Sequence, residues 1–70
     1  METSEEILHR KEEEWSEWPD GFLTEEIEKM EKDVERVKYE IERGAGPIQE
    51  KFLKGQKAWL GALQQHKKNR

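Results

Sequence analysis

Two histidines occur in the chain, and one of them sits in a spacing that can carry chemistry. Glu6-Ile7-Leu8-His9 places a carboxylate and an imidazole three residues apart. On a helix the pair projects from one face, and Glu-x-x-His is the inward-pointing ligand pair of di-iron carboxylate bundles. A complete site of that kind needs a second motif and further glutamates, which a symmetric dimer could bring; Glu12 and Glu13 lie one turn on. The segment is rich in glutamate, so the match arises easily from composition. Glu6 and His9 are therefore weak metal candidates, the expected state is a solvated histidine on a charged face, and no cofactor is expected. His66 falls on the apolar face of the last helix, near its end, where an imidazolium would complement the helix dipole.

Other routes to catalysis are poorly served. There is no cysteine, which removes disulfides, thiolate ligands and a thiol nucleophile together. Ser4 and Ser16 have no base at a recognisable spacing, and no glycine-rich phosphate loop is present. The chain does not read as an enzyme.

The aromatic residues speak instead for packing or docking. Trp15, Trp18, Phe22 and Trp59 are many large aromatics for a chain of 70 residues that is 43% charged. Such side chains anchor protein interfaces, and they anchor small cores equally well. Trp59 is expected in the core. Trp15 and Trp18 fit either the core or a partner-facing surface, since the first helix holds little else apolar; with Phe22 and Tyr39 they are the expected partner surface, in which case Trp15→Ala and Trp18→Ala would abolish binding and leave helicity intact.

Charge is unevenly distributed. Residues 1–28 carry a net −9, residues 29–43 cancel, and residues 44–70 carry +5, for a total of −4. Glu12, Glu13, Glu14, Glu17 and Asp20 are expected to form an acidic strip, either a solvated face or a source of steering charge. Lys51, Lys54, Lys57, Lys67, Lys68 and Arg70 make the last helix basic. No helix-turn-helix, zinc-finger or RNA-binding signature accompanies them, and direct nucleic-acid binding is disfavoured.

The elements that position these residues are helical. Leu23, Ile27, Met30, Val34, Val37 and Ile41 recur at alternating steps of four and three, the seam of a two-helix contact. Thr24 is expected to cap this helix, which runs to Arg43 and ends at Gly44 in the left-handed region. Glu25–Lys29 and Arg36–Glu40 are among the charge pairs expected along it. After Gly44-Ala45-Gly46, Pro47 suits the first position of a helix reaching His66. There Ile48, Phe52, Trp59 and Leu63 share one face, and with Ile27, Met30, Val34, Val37 and Ile41 they are the expected core. Gly55, Ala58 and Ala62 line an edge fit for close helix approach. Thr3 with Glu6 spells a capping box for a first helix ending at Trp18, followed by a Pro19-Asp20-Gly21 turn in which Gly21 takes positive φ.

The expected architecture is all-α. An antiparallel hairpin of residues 24–43 and 47–66 is joined by an N-terminal amphipathic helix over residues 4–18, as a three-helix bundle or a helical oligomer. The chain forms one small domain, with residues 1–23 as the acidic helix and turn and residues 24–70 as the hairpin. A core this small is marginal alone, so homo-oligomerisation is expected. No apolar run is long enough to span a membrane, and an acidic start does not resemble a secretory signal, so a cytoplasmic location is expected. The expected function is a non-catalytic protein–protein interaction module: a scaffold, regulator or inhibitor that self-associates and binds an unidentified protein. The alternatives are an acidic nucleic-acid mimic and an oligomeric metal-binding protein using Glu6 and His9.

Overall fold

Thr3 caps the first helix with one arm of the expected capping box; the Glu6 carboxylate meets the Thr3 hydroxyl rather than the Thr3 N–H. Thr3 Oγ1 accepts from the Glu6 N–H at 3.3 Å and lies 3.3 Å from the Glu6 carboxylate. In the computed structural model, which describes residues 2–44 and 46–70, α1 spans Ser4–Ser16, α2 Asp20–Glu42 and α3 Pro47–Lys68. Among the described residues there is no strand. The chain is a three-helix bundle with α3 in the middle, packed on α2 along one side and α1 along another.

α2 and α3 are antiparallel. Lys67 donates to Thr24 Oγ1 at 2.7 Å near one end of the pair, and Gln64 meets Glu31 at 3.5 Å further along. Gly44 turns the chain with φ +104°, the left-handed conformation expected of it. Ala45 lies outside the described residues, and Pro47 occupies the first turn of α3. α1 runs in the same direction as α3, beside its second half. Ser4 Oγ donates to the Ala58 carbonyl at 2.8 Å, and eleven residues on Trp15 stacks edge-on against His66 at 5.9 Å.

The heptad seam is buried where it meets its neighbours. Leu23, Ile27, Val34 and Val37 are all below a tenth exposed, while Met30 and Ile41 are half-buried. Ile7 and Trp15 of α1 complete the core with Ala62 and Leu63, and Leu8, Trp18, Met30 and Trp59 pack around it.

Several sequence expectations need correction. α1 ends at Ser16 rather than Trp18, with Glu17 as its cap residue. α2 begins four residues before Thr24, at Asp20 after Pro19. Leu23 is fully buried, and burying it requires a helical turn ahead of the seam; Asp20 favours the dipole of that turn. Thr24 is thus inside the helix, its hydroxyl bonded back to the Asp20 carbonyl at 3.0 Å. Gly21 is helical, and the positive φ expected of it is absent. Lys29 and Arg36 pair three residues back, with Glu26 at 3.9 Å and Asp33 at 3.6 Å, instead of with Glu25 and Glu40.

The close approach of α1 to α3 also uses a different glycine. A Cβ at Gly61 would come within 2.8 Å of Ser4 Oγ, whereas one at Gly55 would meet open space. Ala58, Gly61 and Ala62 make the tight edge, and Gly55 takes no part in it.

Candidate docking surface

The residues that might have carried chemistry do not converge. Glu6 is engaged with Thr3 at the start of α1, and both Glu6 and His9 are exposed. Among the described residues no group of three His, Cys, Asp or Glu side chains is placed to hold a metal ion. His66 is not at a fraying end. It is 7% exposed, lies against the Trp15 ring, and its Nε2 has no hydrogen-bond partner within the structure.

Trp15 is core, not surface. At 1% exposure it touches Trp59 edge-on at 5.8 Å and Trp18 at 6.2 Å. Trp18 is half-buried and meets the exposed Phe22 edge-on at 4.7 Å. One aromatic chain therefore leads from Phe22 in the first turn of α2, through Trp18 and Trp15, to Trp59. Arg10 and Lys11 lie over the Trp59 ring at 5.9 and 5.8 Å, and their stems shield what α1 leaves open. Tyr39 lies opposite the seam, 57% exposed, and is tied to Arg43 by a 2.9 Å hydrogen bond and by the guanidinium over its ring at 5.5 Å.

The acidic residues form no single strip. Glu13 and Glu17 lie one turn apart on one edge, while Glu12 and Glu14 each project about 100° away to either side. Glu14 holds Lys11 at 3.0 Å, and Asp20 pairs with Arg70 at 2.6 Å. Lys51, Lys54 and Lys57 are exposed and fan through about 120° of α3.

What the structure does bring into the open is one half of a helix face. Ile48, Phe52, Trp59, Leu63 and His66 fall within about 60° of one another around α3. In the second half of the helix that stripe is covered: Leu63 is 2% exposed and His66 7%. In the first half it is bare, with Ile48 83% and Phe52 56% exposed. Both were expected in the core.

The reason is length. α1 has 13 residues against 23 and 22 for its neighbours, about 20 Å of helix against about 33 Å. Its N-terminal end reaches Ala58. Phe52 lies about 9 Å beyond that point and Ile48 about 15 Å. A lone exposed leucine would need no explanation, but two large apolar residues one turn apart on a continuing core stripe do.

A second feature lies elsewhere on the hairpin, between α2 and α3. This shallow groove is floored by Val34 and Leu60 and rimmed by Glu28, Glu31, Lys32 and Glu35. Its apolar floor is only two residues wide, and Ile48 and Phe52 do not line it. Among the described residues no helix is long and apolar enough to cross a membrane. No family model matches the chain, and no curated protein or solved structure matches it.

Periodicity had pointed to the right stripe of α3. It could not show where the stripe would be covered, because that depends on the length and direction of α1. The bonds from Arg70 to the carbonyls of Trp15, Ser16 and Trp18 had no local signal at all.

Proposed function

We propose that this protein is a non-catalytic interaction module of the cytosol that docks another helical surface onto the free half of its hairpin. The observation that carries this reading is the exposure of Ile48 and Phe52 on a stripe that is core in the rest of the helix. A partner helix laid there would continue the packing that α1 begins, with residues one turn apart as anchors. Gly55, on the margin of the same face with open space above it, leaves room for close approach. The dispersal of the acidic residues disfavours a nucleic-acid mimic.

The surface differs from the one the aromatic residues first suggested. Trp15 is consumed by the core, and Trp18 and Phe22 are engaged with each other. Docking should therefore survive changes at Phe22 and fail with changes at Phe52.

A photoreactive phenylalanine analogue at position 52, introduced in the cells that make the protein, tests the reading. The expected result is a discrete adduct, identified by mass spectrometry, that is absent when the probe stands at Glu28 on another face. Equal labelling from both positions, or none from either, would remove the proposal.

A further inference from the structure

We propose that the occupant of this face is a second copy of the chain, joined tip to tip so that the free halves of two hairpins cover each other. The inference rests on the docking reading above and names its partner.

Three observations converge on it. The first is area. A folded monomer of 8.4 kDa exposes about 4,600 Å² by the usual scaling with mass. This chain exposes 5287 Å², more than a compact monomer of its mass, and the two large apolar side chains Ile48 and Phe52 are part of that exposed surface.

The second is shape. Because α1 occupies only the far half of the α3 face, two copies related by a twofold axis across the helices, near Phe52, can overlap their bare halves without their α1 helices colliding. Each α1 would then lie end-on to the partner's hairpin tip, and the apolar stripe of α3 would be closed along its full length. A contact of this kind is isologous and closes on itself, so it stops at two chains.

The third is charge. The bare half of α3 carries Lys51, Lys54 and Lys57 against the single acid Glu50, all exposed, for a net +2. The end of α1 that would face the partner's tip carries Glu2, Glu5 and Glu6, also exposed. Glu2 already holds Arg10 at 2.7 Å and Glu6 is engaged with Thr3, which leaves Glu5 to meet the partner's Lys51, the lysine nearest the tip. Opposite charge at the rim fixes the register and speeds association more than it tightens binding.

Sedimentation equilibrium of the full chain over a wide range of concentration reads the outcome. The proposal expects a monomer–dimer equilibrium with no higher species. Phe52→Glu should raise the dissociation constant at least about 30-fold, as loss of a central anchor does. Because Phe52 is more than half exposed, that variant should keep the helicity and unfolding midpoint of the monomer. A wild-type chain that stays monomeric at every concentration would overturn the second copy, as would a dimer indifferent to Phe52→Glu. A monomer that still gives an adduct with a different protein from position 52 would overturn this inference and leave the docking surface standing. A monomer that gives no adduct would remove both.

Discussion

Arg70 offers the sharpest test of how the bundle is held. Its guanidinium donates to the carbonyls of Trp15 at 2.9 Å and Ser16 at 3.1 Å, to the Trp18 carbonyl, and to Asp20 at 2.6 Å. The Trp15 and Ser16 carbonyls end α1, whose last turn contains no basic residue of its own, and the Trp18 carbonyl lies in the turn beyond it. One side chain, more than fifty residues away in sequence, thus caps α1, compensates its dipole and clamps the turn into α2.

The components are unequal. The pair with Asp20 is exposed on the acid side, where the side chain is 77% accessible, so it contributes at most about 1 kcal/mol. The carbonyl bonds are made by a charged donor that is only 26% exposed, and bonds of that type contribute about 1.5–3 kcal/mol. Arg70→Ala should therefore cost about 2 kcal/mol, and Asp20→Asn well under 1 kcal/mol. For a domain of this size, 2 kcal/mol lowers the unfolding midpoint by about 8–16 °C. Thermal unfolding followed by circular dichroism at 222 nm measures both variants. Midpoints for Arg70→Ala within about 2 °C of the parent, or equal losses from Asp20→Asn and Arg70→Ala, would refute this reasoning.

Further predictions concern the core and the glycines. Trp15→Ala empties the centre of the aromatic chain and should cost about 3–5 kcal/mol, so that much of the chain loses helicity at room temperature; a fully helical variant would contradict the burial. Gly55→Ala should stabilise the monomer by up to about 1 kcal/mol, since it relieves a mid-helix glycine and meets open space. Gly61→Ala should instead destabilise, because the new Cβ displaces Ser4 Oγ and its bond to Ala58; the two variants unfolding in the same direction from the parent would exclude this contrast. His66→Phe keeps a ring against Trp15 and removes a buried nitrogen without a partner, and should raise the denaturation midpoint by the equivalent of about 1 kcal/mol. A lower midpoint would show that the nitrogen is satisfied in solution.

Local signals in the sequence were reliable where the physics is local. The Thr3 cap of α1, the left-handed Gly44, Pro47 in the first turn of α3 and the seam from Leu23 to Ile41 all depend on residues within one or two turns. The start of α2 was misread because Pro-Asp-Gly is a strong turn sequence. Burial of Leu23 outweighed it, and Leu23 already stood one residue ahead of the proposed Thr24 cap as the only hint. The fate of Trp15 against Trp18 was ambiguous because α1 has few apolar residues, and only its packing on Trp59 and His66 decides which ring is enclosed. Ile48 and Phe52 lie on a face that periodicity identifies correctly. Their exposure follows from where a separate, shorter helix stops, which no pattern within α3 encodes. The Arg70 clamp and the Ser4–Gly61 contact join opposite ends of the chain, beyond the range of any spacing rule.

The chain's lack of cysteine makes the central claim directly measurable. A single Lys51→Cys variant, which leaves the Phe52 anchor in place, should form a covalent dimer when treated with a short bismaleimide at low concentration, because a twofold axis near Phe52 brings the two exposed position-51 side chains within the linker's reach. Tyr39→Cys, exposed but on the far side of α2, should remain monomeric under the same conditions. Rapid, selective cross-linking at position 51 is the predicted result; equal rates at both positions, or none at position 51, would contradict the tip-to-tip pairing.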